Sequence, residues 1–323
     1  MASAELTVVS PPGTTRAAGD GPPPRRPRRS GGARRRWSGL VWVAPALLAM
    51  GAFVYYPLLL NFRYSVQKTN IFTGQQRFVG LDNYTRLAGD PIFWRALTNN
   101  VWYAVLSIVF QVFFALVLAA LIEDMRSPRM RAVLRSVYFL PSAISLTVTG
   151  LLFTFIYQPS GGLLNGLLDG AGLDAAQQSW LGNPHTAIFG IIAMSQWQGF
   201  GYSTLLFAVA IQRIPRELYE SATLDGAGPA RRLFSLTVPM VREMTGVVMI
   251  VTISGAFQVF NEVMVMTAGG PNNSSQVLGT WLYEAGFIRN DFGYAAAIAT
   301  VIFTVTTVLA VLQIVHTSRR RVA

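Results

Sequence analysis

From the amino end, long apolar runs without charge alternate with shorter polar stretches that carry nearly all the ionic residues. The first run, Trp37 to Phe62, holds no charged side chain, and neither does the second, Ala96 to Ile122. A third covers Ser136 to about Tyr157, and a fourth lies between about Pro184 and Gln212, interrupted by Gly199 and Gly201. The fifth spans roughly Met244 to Thr267 and carries one carboxylate, Glu262; the sixth runs from Phe292 to about His316. A helix needs about 20 apolar residues to cross the hydrocarbon core. The pattern therefore predicts an all-α integral membrane protein with six transmembrane helices, and residues 37–316 form its membrane domain.

The polar stretches fix an orientation. Lys and Arg on alternate sides divide 20 to 6, with residues 1–36, 123–135, 213–243 and 317–323 on the rich side. Positive residues stay inside, so both termini are expected in the cytoplasm, as in a multi-pass protein of a bacterial inner membrane. Residues 1–36, rich in Pro, Gly and Arg, cannot bury enough apolar surface to offset ordering and read as a disordered basic tail suited to anionic lipid. The run after that tail is too long for a signal-peptide core, so the first span is expected to be uncleaved. Residues 317–323 read as a short basic tail.

Composition agrees. The 323 residues are 52% hydrophobic and 13% charged, with mean hydropathy +0.40, whereas a soluble domain carries about 25% charged residues. The net charge of +11 does not indicate nucleic acid, because the basic residues flank apolar spans instead of interleaving with aromatics on one module. There is no cysteine, and the two histidines, His185 and His316, are far apart; nothing is spaced to supply a metal site or a catalytic constellation.

The longest internal loop carries the most information. Residues 214–226, Ile-Pro-Arg-Glu-Leu-Tyr-Glu-Ser-Ala-Thr-Leu-Asp-Gly, read as a short helix. Pro215 suits its first position, Glu217 its positive dipole end and Gly226 its stop. A second helix starts at Pro229, presents Leu233, Phe234 and Val238, and is expected to end at Pro239. Such helices can lie on headgroups, but Glu217, Glu220 and Asp225 suit a protein partner bearing Arg or Lys better than an anionic surface.

Glu220-Ser221-Ala222, three residues, Gly226, nine residues, then Leu236-Thr237-Val238-Pro239 resembles the EAA loop of ABC-importer permeases. Ser221, Leu236 and Val238 depart from its Ala, Ile and Leu but keep size. Asp225-Gly226-Ala227 and Ile214-Pro215 take the form seen in the carbohydrate-uptake branch. Phe78-Val79-Gly80-Leu81-Asp82-Asn83-Tyr84 and Gly269-Gly270-Pro271 are similar to the maltose- and glycerol-phosphate-type subunits. The resemblance covers about residues 37–316. It implies a type I importer permease fold and a cytoplasmic coupling helix that docks in a cleft of a separate ATPase, with Glu220, Ala222, Asp225, Gly226, Ala227 and Pro239 carrying the docking loop. It further implies a heterodimer with a second, homologous permease, two ATPase subunits, an extracytoplasmic solute-binding protein and a sugar-like solute.

A Walker A loop needs G-x-x-x-x-G-K-[ST], and the one lysine, Lys68, has no such glycines near it. This chain is therefore expected to bind no cofactor and to be no enzyme; ATP and Mg belong to the partner ATPase.

Polar residues inside spans mark a pathway or an interhelical contact. Ser195 to Tyr202 in span four, and Ser254, Phe257, Gln258, Asn261 and Glu262 in span five, mix amides with rings, a mixture that suits a sugar. The resemblance places solute contacts in these stretches, and Gln196, Gln198, Gly199, Tyr202, Phe257 and Asn261 are the candidates. Phe257 and Asn261, four apart, are expected on one helical face, sharing a cavity with Tyr202. Glu262 fits a snorkelling, interhelical or cation-linked role. The competing reading is an ion-coupled secondary transporter, which calls for inverted repeats and broken helices in both halves; no internal repeat is visible.

Overall fold

The computed structural model describes residues 42–69 and 75–322, with side chains to Val315; the expectations for residues 1–36 and for the start of the first span lie outside them. The described residues cluster into a unit ending at Tyr55 and a unit from Tyr56 onward. The first holds the opening turns of helix α1 (Trp42–Ser65), with a wide π turn at Gly51–Tyr55.

In the second unit, α1 finishes and leads into a hairpin, β1 (Gln67–Thr69) and β2 (Gln76–Phe78), paired antiparallel with Lys68 opposite Arg77. Helix α2 (Asp82–Ala88) precedes α3 (Pro91–Glu123), the longest apolar helix, with Asp90 accepting the N–H of Ile92 at 2.8 Å as its N-cap. The third expected span is two helices, α4 (Pro128–Ala143) and α5 (Leu146–Ile156), bent by 93°. Next come α6 (Leu163–Gly170) and α7 (Ala187–Ile211). The loop helices are α8 (Arg216–Leu224) and α9 (Pro229–Met240). Then follow α10 (Arg242–Phe257), α11 (Asn261–Met266), α12 (Leu278–Tyr283) and α13 (Phe292–Val322). The helix α13 carries on through the residues expected to form a C-terminal tail.

Among the described residues, α1, α3 and α13 are each long and apolar enough to cross a membrane; by length and composition the bent pairs α4–α5 and α9–α10 would bring the number up to five if each were one span. Helix α7 has 25 residues, about 37 Å of rise. Its length suffices, but Ser195 to Tyr202 dilute its apolar character.

Helix α7 organises the packing. Its first half, with Ile188, Ile191, Ile192 and Met194, enters a cluster with Phe93, Phe257, Val263, Trp281 and Ile298. Its second half, with Phe207, Ala208 and Ile211, enters another with Val112, Leu116, Ala119 and Val248. The polar stretch of α7 lies between the two. Gly199 and Gly201 do not interrupt the helix, which corrects the sequence reading. A Cβ on Gly201 would fall on the carbonyl oxygen of Tyr138, and one on Gly199 would lie 2.8 Å from the Gln111 amide. Both glycines serve close approach of neighbouring helices of the same chain.

Two backbone breaks need explanation, because unpaired peptide groups at membrane depth are costly. At the α4–α5 break the carbonyl of Ile144 accepts from Nε2 of Gln198 at 2.8 Å. At the α10–α11 break the carbonyl of Ala256 accepts from Nδ2 of Asn100 at 2.6 Å, and Oδ1 of Asn100 accepts from the N–H of Leu278 at 2.8 Å. Each break is held by one buried amide from a different helix. Several hydroxyls within the helices donate back along their own helix, as Thr204 does to Phe200 and Thr300 to Ala296, both at 2.8 Å.

Candidate functional site

The loop after α7 folds as two helices back to back. Helix α8 starts at Arg216, with Pro215 just ahead of it in the cap position and Glu217 in the first turn. Its end is a Schellman arrangement. The N–H of Gly226 donates to the carbonyl of Thr223 at 3.0 Å and that of Ala227 to Ala222 at 2.9 Å. Gly226 takes φ +76°, a conformation that costs a residue bearing a Cβ. Pro229 opens α9. This helix ends one residue past Pro239, close to the expected stop. The helix widens into a π turn at Leu233–Thr237 and reaches Met240, and the chain turns at Val241 into α10, bent by 75° from α9.

The pair is tied down by side chains. The hydroxyls of Tyr219 and Thr237 share a hydrogen bond at 2.9 Å, joining α8 to α9. Glu220, Asp225, Gly226 and Pro239 are exposed, and Ala222 and Ala227 half-buried. Leu224, at 89% exposure, is the most open large apolar side chain of the unit from Tyr56 onward; the sequence reading passed over it because one leucine in a short helix carries no periodic signal. Between these helices and the ends of α3 and α7 lies a groove of about 680 Å³, with Arg126, Arg131, Arg216, Tyr219, Glu220 and Arg232 in its wall.

A second recess, of about 350 Å³, lies beside the polar middle of α7 and is lined by Gln111, Ser142, Ser195, Gln198, Gly199 and Tyr202, with Phe139 and Leu146. Three of the six solute-path candidates thus meet here. Gln196 is buried behind them, donating to Oγ of Ser107 at 2.9 Å and accepting from Nε2 of Gln111 at 2.9 Å. Phe257 and Asn261 do not line the recess. Phe257 is 5% exposed inside the first cluster, while Asn261 is exposed at the start of α11. The helix breaks between them, so their spacing of four gives no common face; that expectation is corrected. Glu262 lies half-buried, with the Tyr103 hydroxyl 3.4 Å from its carboxylate.

Gln111, Ser142 and Ser195 line the recess without being among the six candidates, although Ser195 opens the polar stretch of span four. The signal for Gln111 was an amide in an otherwise apolar span, and its placement comes from the π turn at Ile108–Phe114, a feature frequent at functional positions. Among the described residues, no group of three or more His, Asp or Glu could hold a metal.

The sequence model of the family described as binding-protein-dependent transport system inner membrane component matches residues 111–322. The probable ABC transporter permease protein YurN of Bacillus subtilis is 48% identical over 84% of this chain and 93% of its own length. The arabinooligosaccharides transport system permease protein AraP of the same organism is 31% identical, covering 85% and 86%. The lactose transport system permease protein LacF of Rhizobium radiobacter is 32% identical, covering 88% and 95%. Among solved structures, a chain of a bacterial alginate ABC transporter, crystallised with its alginate pentasaccharide-bound periplasmic protein, superposes with TM-score 0.76 over 89% of this chain and 96% of that one, at 24% identity. That likeness concerns the fold.

Proposed function

The chain belongs to the family of binding-protein-dependent transport system inner membrane components, and on that premise we propose that it conducts a sugar through an ATP-driven importer. It is a multi-pass permease subunit and not itself the ATPase. Membership in this family sets aside the ion-coupled alternative.

The observation that carries the coupling part is the α8–α9 pair, closed at Gly226 and presenting Glu220, Asp225 and Leu224 outward. An exposed apolar side chain accompanied by two carboxylates fits a cleft with an apolar floor and a basic rim on a separate subunit. The exposed residues Glu220, Asp225, Gly226 and Pro239, with Ala222 and Ala227 behind them, form the docking loop. The partners are two such ATPase subunits using ATP and Mg, a second permease of the same family and an external solute-binding protein.

Six spans are α1, α3, α4 with α5, α7, α10 with α11, and α13. Both termini are cytoplasmic, an orientation supported by the 20-to-6 division of Lys and Arg. The amides and the Tyr202 ring around the recess suit a solute rich in hydroxyls, and relatives named for lactose and arabinooligosaccharides point to the same class.

Reconstitution of the full complex in proteoliposomes tests the reading. Uptake of lactose or an arabino-oligosaccharide is expected to need ATP on the α8–α9 side. Uptake driven by an ion gradient alone overturns it.

A further inference from the structure

Two adjacent carboxylates end α3 and face different neighbours. Glu123, 7% exposed at its side chain, receives Arg135 through Nε at 3.0 Å and Nη2 at 2.5 Å, with Arg131 at 3.7 Å and the Gln212 amide at 3.5 Å. It fixes the end of α3 to α4 and to the exit of α7. Asp124 points the other way, to Nη2 of Arg232 in α9 at 3.1 Å. The same guanidinium reaches the Thr223 hydroxyl of α8 through Nη1 at 3.4 Å. Arg232 therefore touches both loop helices and the end of α3 at once.

The chain itself joins the loop only to α7 before it and α10 after it. A push on α8 has a direct covalent path to those two helices and none to α3. Yet α3 carries Gln111, which lines the recess and bonds Gln196 of α7. Tyr219 and Val238 pack against the cluster that holds Val112, Leu116 and Ala119 of α3, a contact that can slide, whereas the Asp124–Arg232 pair would open if α8 and α9 slid past α3. Asp124 is 51% exposed and Arg232 19%, so water reaches one partner and screens the pair; what the pair adds is chiefly geometric.

We infer that Asp124 and Arg232 form a strap that makes the loop helices and the end of α3 one moving body, so that both are positioning residues for ATP-driven transport. The inference rests on reading residues 214–239 as the coupling loop.

The test uses the complete transporter in proteoliposomes and reads solute imported per ATP hydrolysed. Asp124→Arg and Arg232→Asp are each expected to lower that ratio by about threefold, the size an exposed ion pair supports. The exchanged pair, Asp124→Arg with Arg232→Asp, is expected to recover most of it. The chain has no cysteine, so Asp124→Cys with Arg232→Cys offers a unique thiol pair within it. Bridged by a short bis-maleimide, this variant is expected to import about threefold more solute per ATP than its unbridged form, which lacks both charges, because the bridge restores the link between α3 and α9.

Unchanged ratios in the single variants, no recovery in the exchange, or no gain from the bridge would each overturn the strap. Where the charge reversals fail to assemble, the bridged pair alone decides. ATP-independent uptake by the unsubstituted complex is the control that separates failure of the functional reading, which would take the strap with it, from failure of the strap alone.

Discussion

The side-chain amide of Asn100 donates to the carbonyl oxygen of Ala256 at 2.6 Å, across 156 residues of sequence. Its other end accepts from Leu278, so one fully buried residue closes the end of α10 and the start of α12. Asn100→Leu keeps the volume and leaves a carbonyl and an N–H unpaired, at about 1–3 kcal/mol each. The purified complex is expected to unfold at a clearly lower temperature, and an unchanged midpoint would show that the break holds itself.

The two glycines of α7 separate fold from site. At Gly201 the obstacle to a Cβ is the backbone carbonyl of Tyr138, which cannot swing aside; at Gly199 it is the end of the flexible Gln111 side chain. Gly201→Ala is expected to cost about 1–3 kcal/mol by overpacking and to reduce the amount of assembled complex. Gly199→Ala is expected to assemble and to alter uptake, because it displaces an amide that lines the recess. Quantifying complex and uptake on one preparation checks both, and equal assembly of the two variants would refute the distinction.

How much of this was legible follows from what each signal depends on. Gly226 and Pro229 announce a helix stop and a helix start by local backbone chemistry, and the structure has both at those positions. Long apolar runs reveal helices in lipid for the same reason, since hydropathy is summed along the chain. The breaks at Ile144–Ser145 and Gln258–Phe260 were not legible. Residues Leu, Ile, Val and Phe read alike through a bend, and the amides that make each break tolerable sit on distant helices. Gly199 and Gly201 misled for the converse reason: glycine suggests an interruption locally, whereas here the cause lies in neighbouring helices, at Gln111 and Tyr138. Phe257 and Asn261 failed because a spacing of four means a shared face only within an unbroken helix.

Gly226 is the most exposed test of the loop. Its φ of +76° is costly for a β-branched residue, by roughly 1–2 kcal/mol, yet a Cβ there meets no neighbouring atom within 4 Å. Gly226→Val should therefore spare membrane insertion and the packing of the spans. The expected loss is confined to the end of α8, so ATP-driven uptake falls sharply. Co-purification with the ATPase and normal transport by this variant would remove residues 214–239 from the coupling role.

The solute path can be divided from the core by two aromatic substitutions. Phe257 is 5% exposed among Val259, Val263 and Met266. Truncation of such a ring costs about 3–5 kcal/mol, so Phe257→Ala is expected to lower the yield of assembled complex, with uptake falling in proportion. Tyr202 is 50% exposed at the recess. Tyr202→Phe removes one hydroxyl and no ring, so packing is spared. If that hydroxyl bonds the passing sugar, its loss of about 0.5–1.5 kcal/mol weakens site occupancy about 2- to 13-fold. Uptake at low solute concentration should drop by that factor and recover as the solute is raised, while the amount of complex stays level. A purely structural Tyr202 gives the opposite result, less complex and no rescue by solute, and a variant that transports normally at low concentration removes Tyr202 from the path.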